Sequence, residues 1–123
     1  MKLKEISDGY FAGFGRGELP YLRCGGCGHA FYYPRNLCPK CSSGELALAA
    51  SSGKGKVFSC TRIKTRDPAR SPIYAIVELP EGFRMYTNVL ADSAEIGDDV
   101  EVVFREVEGR IFPFFRPAGD AAP

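Results

Sequence analysis

The chain has 123 residues, with sixteen basic against fifteen acidic side chains and a formal net charge of +1, a balance that argues against a dominant electrostatic attraction to nucleic acid or anionic membrane. No apolar run approaches the roughly twenty residues that a transmembrane helix needs, and the length suits one ordinary domain or two small modules. Nine Phe and six Tyr without Trp give more aromatic surface than a small core can hide, so part of it is expected at an interface.

Residues 1–20 form the first segment. Ile6, Tyr10, Phe11 and Phe14 share one side of a helix, with Ser7 or Asp8 as its N-cap. Gly9, Gly13 and Gly15 each cost about 1 kcal/mol relative to Ala, so the helix must be held by docking, on its own body or on a partner. No apolar signal segment follows Met1-Lys2-Leu3-Lys4-Glu5, which leads us to expect a reduced, cytoplasmic setting. Gly17-Glu18-Leu19-Pro20 ends the helix, and Tyr21-Leu22-Arg23 leads as a strand into the next segment, residues 21–50.

That segment carries Cys24-Gly25-Gly26-Cys27 and Cys38-Pro39-Lys40-Cys41. Each Cys-x-x-Cys turn brings two thiolates to one ion, and a hairpin between the turns lets the pairs complete a tetrahedron. Four sulfurs suit structural Zn2+, with iron the rival metal, and a closed four-ligand shell leaves no position for water or substrate. Gly28, and Ser42-Ser43-Gly44, supply the turns that aim amides at the sulfurs. The predicted metal ligands are therefore Cys24, Cys27, Cys38 and Cys41, in a zinc ribbon. His29 reads as a surface residue of the ribbon and Cys60 as a small, at least half-buried residue outside the shell. Three consecutive aromatics, Phe31-Tyr32-Tyr33, cannot all face inward in so small a module, so at least one should pack on another surface.

Residues 51–123 read as a barrel. Short strands are predicted at 57–64, 73–79, 83–90, 99–107 and 110–116, separated by turn residues such as Pro80-Glu81-Gly82 and Glu108-Gly109. The first changes parity along its length, which calls for a bulge. The second is apolar at nearly every position, which predicts cover on both faces. Five strands with a long bent first one and a terminal hairpin fit an OB-fold, with an SH3-like barrel as runner-up. The fold class is thus mainly β: a short N-terminal helix, a rubredoxin-like zinc ribbon, and a five-stranded OB-fold barrel.

Catalytic candidates are few. With one His there is no Ser-His-Asp set, and neither a phosphate-binding Gly-rich loop nor a catalytic carboxylate pair is present. Cys60 could act as a nucleophile only with His29, which falls in the other module. A binding role is favoured. Arg62, Lys64 and Arg66 recur at period two, and Arg70 follows in the same loop. These cations suit a phosphate-bearing ligand such as a nucleotide, coenzyme A or a nucleic-acid backbone, although charge on an edge strand also serves solubility.

The order of parts resembles a family of small proteins with an N-terminal helix, a rubredoxin-like zinc ribbon and a C-terminal OB-fold, associated with acyl-CoA metabolism. The resemblance rests on Gly17-Glu18-Leu19, the four knuckle cysteines, residues 31–35 and 52–59, Val77-Glu78-Leu79-Pro80-Glu81-Gly82, Ile96-Gly97-Asp98-Asp99-Val100 and Pro113-Phe114-Phe115-Arg116-Pro117. It implies a non-catalytic, acyl-CoA-binding accessory subunit of a thiolase-like enzyme (acyltransferase, aldolase or lipid-transfer-type thiolase) or of a hot-dog-fold hydratase. The barrel would help bind the CoA thioester and the partner would supply catalysis. The alternative is a single-stranded nucleic-acid-binding protein, since zinc ribbons and OB-folds both serve that role, but the charge balance counts against it.

Overall fold

A computed structural model describes residues 2–62 and 72–118. Helix α1 (Leu3–Gly15) begins after an extended Lys2 with no side-chain cap, so Ser7 and Asp8, expected as caps, lie inside the helix. Docking rather than capping sets its start. Ile6, Tyr10 and Phe14, at spacing i, i+4, i+8, are buried, while Phe11 stays at the margin of exposure. Two of the glycines that weaken the helix also let it approach its neighbours. A β-carbon on Gly9 would stand 2.6 Å from Leu48 Cδ1, and one on Gly13 would stand 2.5 Å from Pro20 Cγ.

The helix packs on a three-stranded antiparallel sheet of order β2-β1-β3, formed by β1 (Leu19–Cys24), β2 (Ala30–Phe31) and β3 (Leu46–Ser51). Strand β3, Leu-Ala-Leu-Ala-Ala-Ser, is Ala-rich and has no strand signal of its own. It pairs with β1 along its whole length, Cys24 opposite Leu46 and Leu19 opposite Ser51. Alanine has low strand propensity, and here the partner strand overrides it.

The second module is a closed barrel of order β4-β5-β6-β8-β7. Its strands are β4 (Lys54–Arg62), β5 (Ile73–Glu78), β6 (Arg84–Val89), β7 (Asp99–Val107) and β8 (Arg110–Pro117). The expected bulge lies in β4 between Val57 and Ser59. Closure comes from the short β4–β7 pairing at Lys54–Lys56 and from the single parallel bridge of Val89 with Phe115. Val57, Val77, Leu79, Met85, Val100 and Phe115 fill the interior. Strand β5 departs from expectation, because its burial alternates and Tyr74 is 47% exposed. Only one of its faces is covered; Tyr74 and Ile76 are outward residues whose apolar character imitated a buried strand.

Ring stacking and hydrogen bonds join the modules. Phe83 of the barrel stacks on Tyr21 at 4.9 Å and on Tyr32 at 6.1 Å. The Tyr86 amide donates to the Tyr33 hydroxyl at 2.7 Å, and Glu81 accepts from the Ser51 hydroxyl at 2.6 Å and from the Ser52 amide at 3.0 Å. From the helix, Phe14 meets Phe104 and Phe11 meets Phe112 at 6.2 and 5.9 Å. Much of the aromatic surface that suggested an interface therefore packs inside the chain: Tyr10 and Phe14 are buried, and Tyr32 and Phe112 are half-buried. Among the described residues the most open aromatics are Phe58, Tyr74 and Tyr86, on β4, β5 and β6, with Tyr33 beside Tyr86.

Candidate metal centre and ligand surface

The two knuckles repeat one local geometry. In the first, the Gly28 amide donates to the Cys24 carbonyl at 2.9 Å and the Gly26 amide to Cys24 Sγ at 3.3 Å. In the second, the Ser42 amide donates to the Cys38 carbonyl at 2.9 Å and the Lys40 amide to Cys38 Sγ at 3.4 Å. The turn closes in the left-handed region both times, at Gly28 (φ 79°) and at Ser42 (φ 65°). Serine rather than Gly44 thus takes the strained position in the second knuckle.

The four sulfurs of Cys24, Cys27, Cys38 and Cys41 all lie within 4.8 Å of one another. A tetrahedral zinc with bonds of about 2.3 Å has sulfur–sulfur edges of about 3.8 Å. Cys24 to Cys41 at 3.5 Å and Cys27 to Cys38 at 3.7 Å match that size, so the donor set could hold zinc. The Cys27 backbone amide, opposed by burial and helped by the Gly26 amide, holds the Cys24 thiol down at about 6. Cys41 is pulled down by the Ser43 backbone, but neighbouring Cys24 and Cys27 and then burial push it up to about 12. Four adjacent thiols cannot all ionise unaided; a divalent cation removes the conflict.

Cys60 stands apart from this cluster, its thiol donating to the Ala94 carbonyl at 3.5 Å. The His29 ring stacks on Phe31 at 5.8 Å. Neither side chain is directed at the other, so they do not form a nucleophile–base pair. Of the four cations singled out in the sequence, Arg62 donates to the Asp92 carbonyl, while Lys64, Arg66 and Arg70 lie outside the described residues. Two concavities escaped sequence reasoning. One, about 790 Å3, is a mostly apolar groove lined by Lys54, Val57, Phe58, Leu79, Ile96 and Val100. The other, about 440 Å3, lies between the modules and is lined by His29, Phe31, Tyr33, Arg35, Phe83 and Arg84. The one sequence signal for the first is Ile96, a large apolar residue placed between turn residues and left 72% exposed.

Residues 11–47 match the family described as "ChsH2, rubredoxin-like zinc ribbon domain" and residues 49–105 the one described as "ChsH2, C-terminal OB-fold domain". A "DUF35 domain-containing scaffold protein" of Methanothermobacter thermautotrophicus is 41% identical over 100 residues, covering 75% of each chain. The "Benzoylsuccinyl-CoA thiolase subunit BbsA" of Geobacter metallireducens is 33% identical over 91 residues, covering 70% of this chain and 62% of that one. A "Probable enoyl-CoA hydratase alpha subunit" of Thermomonospora curvata is 32% identical over 82% of this chain, which spans only 34% of that longer protein. Among solved structures, a chain of "Ltp2-ChsH2(DUF35) aldolase" superimposes with a TM-score of 0.77 at 30% identity, covering 91% of this chain and 94% of that one. With both halves matched in order and the ribbon and barrel in place, the chain belongs to the ChsH2 (DUF35) family of zinc-ribbon and OB-fold proteins.

Proposed function

We propose that this protein is a non-catalytic accessory subunit of an acyl-CoA enzyme, with a thiolase-like or hydratase-like partner, and that Cys24, Cys27, Cys38 and Cys41 hold a structural zinc. The observation that carries the reading is the pairing of a closed four-thiolate cluster, which leaves no open metal position, with the lack of a nucleophile–base pair among the described residues. The thiolase, hydratase and aldolase proteins to which the chain is similar support the choice of partner. CoA thioester binding is assigned to the barrel, with Arg62 and the loop cations Lys64, Arg66 and Arg70 meeting phosphate. The open aromatics of β4–β6 are available for apolar contacts.

Co-expression with thiolase-like and hydratase-like candidates, followed by size-exclusion chromatography and CoA titration, tests it. We expect a stable complex that binds CoA thioesters more tightly than the isolated chain does. Changing all four cations to Ala should weaken that binding, and unchanged affinity would remove the site assignment. A chain that ignores every candidate and retains single-stranded DNA at physiological salt would instead favour the nucleic-acid reading, since the exposed Tyr74 and Tyr86 are of the type on which bases stack.

A further inference from the structure

Strand β3 has an open edge without the usual protection. Gly25 donates to the Glu45 carbonyl at 2.7 Å, so the alternation of an antiparallel ladder makes Arg23–Ala47, Tyr21–Ala49 and Leu19–Ser51 the hydrogen-bonded pairs. The N–H and C=O groups of Leu48 and Ala50, with the C=O of Leu46, then point away from β1. The Leu46 amide turns back to Gly44. No backbone partner meets Leu48 or Ala50 on that side among the described residues.

Edges of this kind are normally blunted by charge, proline or a bulge. The opposite side of the sheet has such a device, since β2 covers only Leu22 and Arg23 of β1 and the next outward position is Pro20, which has no N–H to offer. Strand β3, Leu-Ala-Leu-Ala-Ala-Ser, has no charged or proline residue, and Ala47, Leu48 and Ala50 are exposed.

We propose that this edge pairs with the same edge of a second copy, antiparallel about a two-fold axis through Leu48. The register is self-complementary. With Leu48 opposite Leu48, Leu46 falls opposite Ala50 and Ala50 opposite Leu46, so every outward-pointing residue meets another outward-pointing residue. Pairing joins two three-stranded sheets into one of six strands, and no charged side chains oppose each other across the seam. One strand pair buries less than the roughly 800 Å2 per partner of a standard interface, so the dimer is weak and depends on concentration. The inference is independent of any acyl-CoA role.

Sedimentation equilibrium of the full-length, metal-loaded chain from micromolar to millimolar concentration tests it. The expected result is a rise from the 13.5 kDa monomer towards twice that mass. Ala50→Pro removes an outward N–H but no bond of the β1 ladder, and should weaken self-association by roughly tenfold or more. Leu48→Lys sets like charges face to face across the axis and should do the same. Zinc content and circular dichroism of each variant confirm that it remains folded. A wild-type chain that stays monomeric throughout overturns the proposal, as does a dimer that both folded variants retain, or an edge occupied only by a strand of a partner enzyme.

Discussion

Gly13 of the helix lies directly against Pro20 of β1, where an added β-carbon would come within 2.5 Å of the ring. Gly15, two residues on, has nothing within 4 Å. The same residue type therefore has opposite consequences in one turn of helix. Gly13→Ala should destabilise the chain by about 1–3 kcal/mol through overpacking, whereas Gly15→Ala should be neutral or stabilise it by up to about 1 kcal/mol through helix propensity. Thermal denaturation of the two variants side by side measures the difference.

Metal removal should separate the modules. Cys24→Ala should abolish stoichiometric zinc binding and unfold the ribbon, because the small sheet has little core of its own. Cys60→Ala, outside the cluster, should leave metal content unchanged. Elemental analysis of the purified variants reads both outcomes.

Alkaline pH should loosen the helix. Burial, then the neighbouring Tyr32, raises the Tyr10 phenol above its ordinary 10.0, and burial, then Tyr33, raises that of Tyr32. Both are raised in the folded state, so their contribution is complete below pH 10 and is lost as pH rises beyond it. Melting temperature should fall above about pH 10, the reference value for a tyrosine phenol, with phenolate absorbance rising in step with unfolding. Tyr10→Phe, which also deletes the bond from the Tyr10 hydroxyl to the Tyr32 carbonyl, should lower stability at neutral pH by about 1 kcal/mol and flatten the alkaline decline.

Mild acid should weaken the link between modules. Burial opposes ionisation of Glu81, but the Ser51 hydroxyl and the Ser52 amide hold its carboxyl below the ordinary 4.5. With a depressed folded pKa, the contribution is present above pH 4.5 and is lost as the pH falls through the folded value. Glu81→Gln should therefore match the wild type at low pH and fall behind it at neutral pH. Chemical denaturation across that range tests this.

The parts of the fold that could be read from sequence are those with strong local chemistry. The four cysteines identified the ribbon because thiolate spacing does not depend on the surroundings, and the turns around Gly82 and Gly109 marked strand ends through their backbone freedom. Strand β3 could not be read, since its alanines acquire strand structure only from β1. The face of β5 was misread because Tyr74 and Ile76 are apolar but outward. Within Ser42-Ser43-Gly44 it is Ser42 that takes the left-handed position held by Gly28 in the first knuckle, because the second knuckle closes through the Ser42 amide on the Cys38 carbonyl, a choice that composition alone does not make. Inter-module contacts such as Tyr33 with Tyr86 join residues too distant in the chain for any local pattern to reveal.

The helix and the last hairpin meet through Phe11 with Phe112 and Phe14 with Phe104, although the ribbon and most of the barrel lie between them in sequence. During synthesis the helix leaves the ribosome shortly before the ribbon sheet that carries it, but long before the hairpin strands that complete its cover. With three glycines it cannot persist alone. Early segments usually settle before late ones appear, but this one stays only partly covered until the hairpin is made. A truncated nascent chain would leave Phe14 without Phe104 and Phe11 without Phe112, open to the cell's chaperones, until the last hairpin is made.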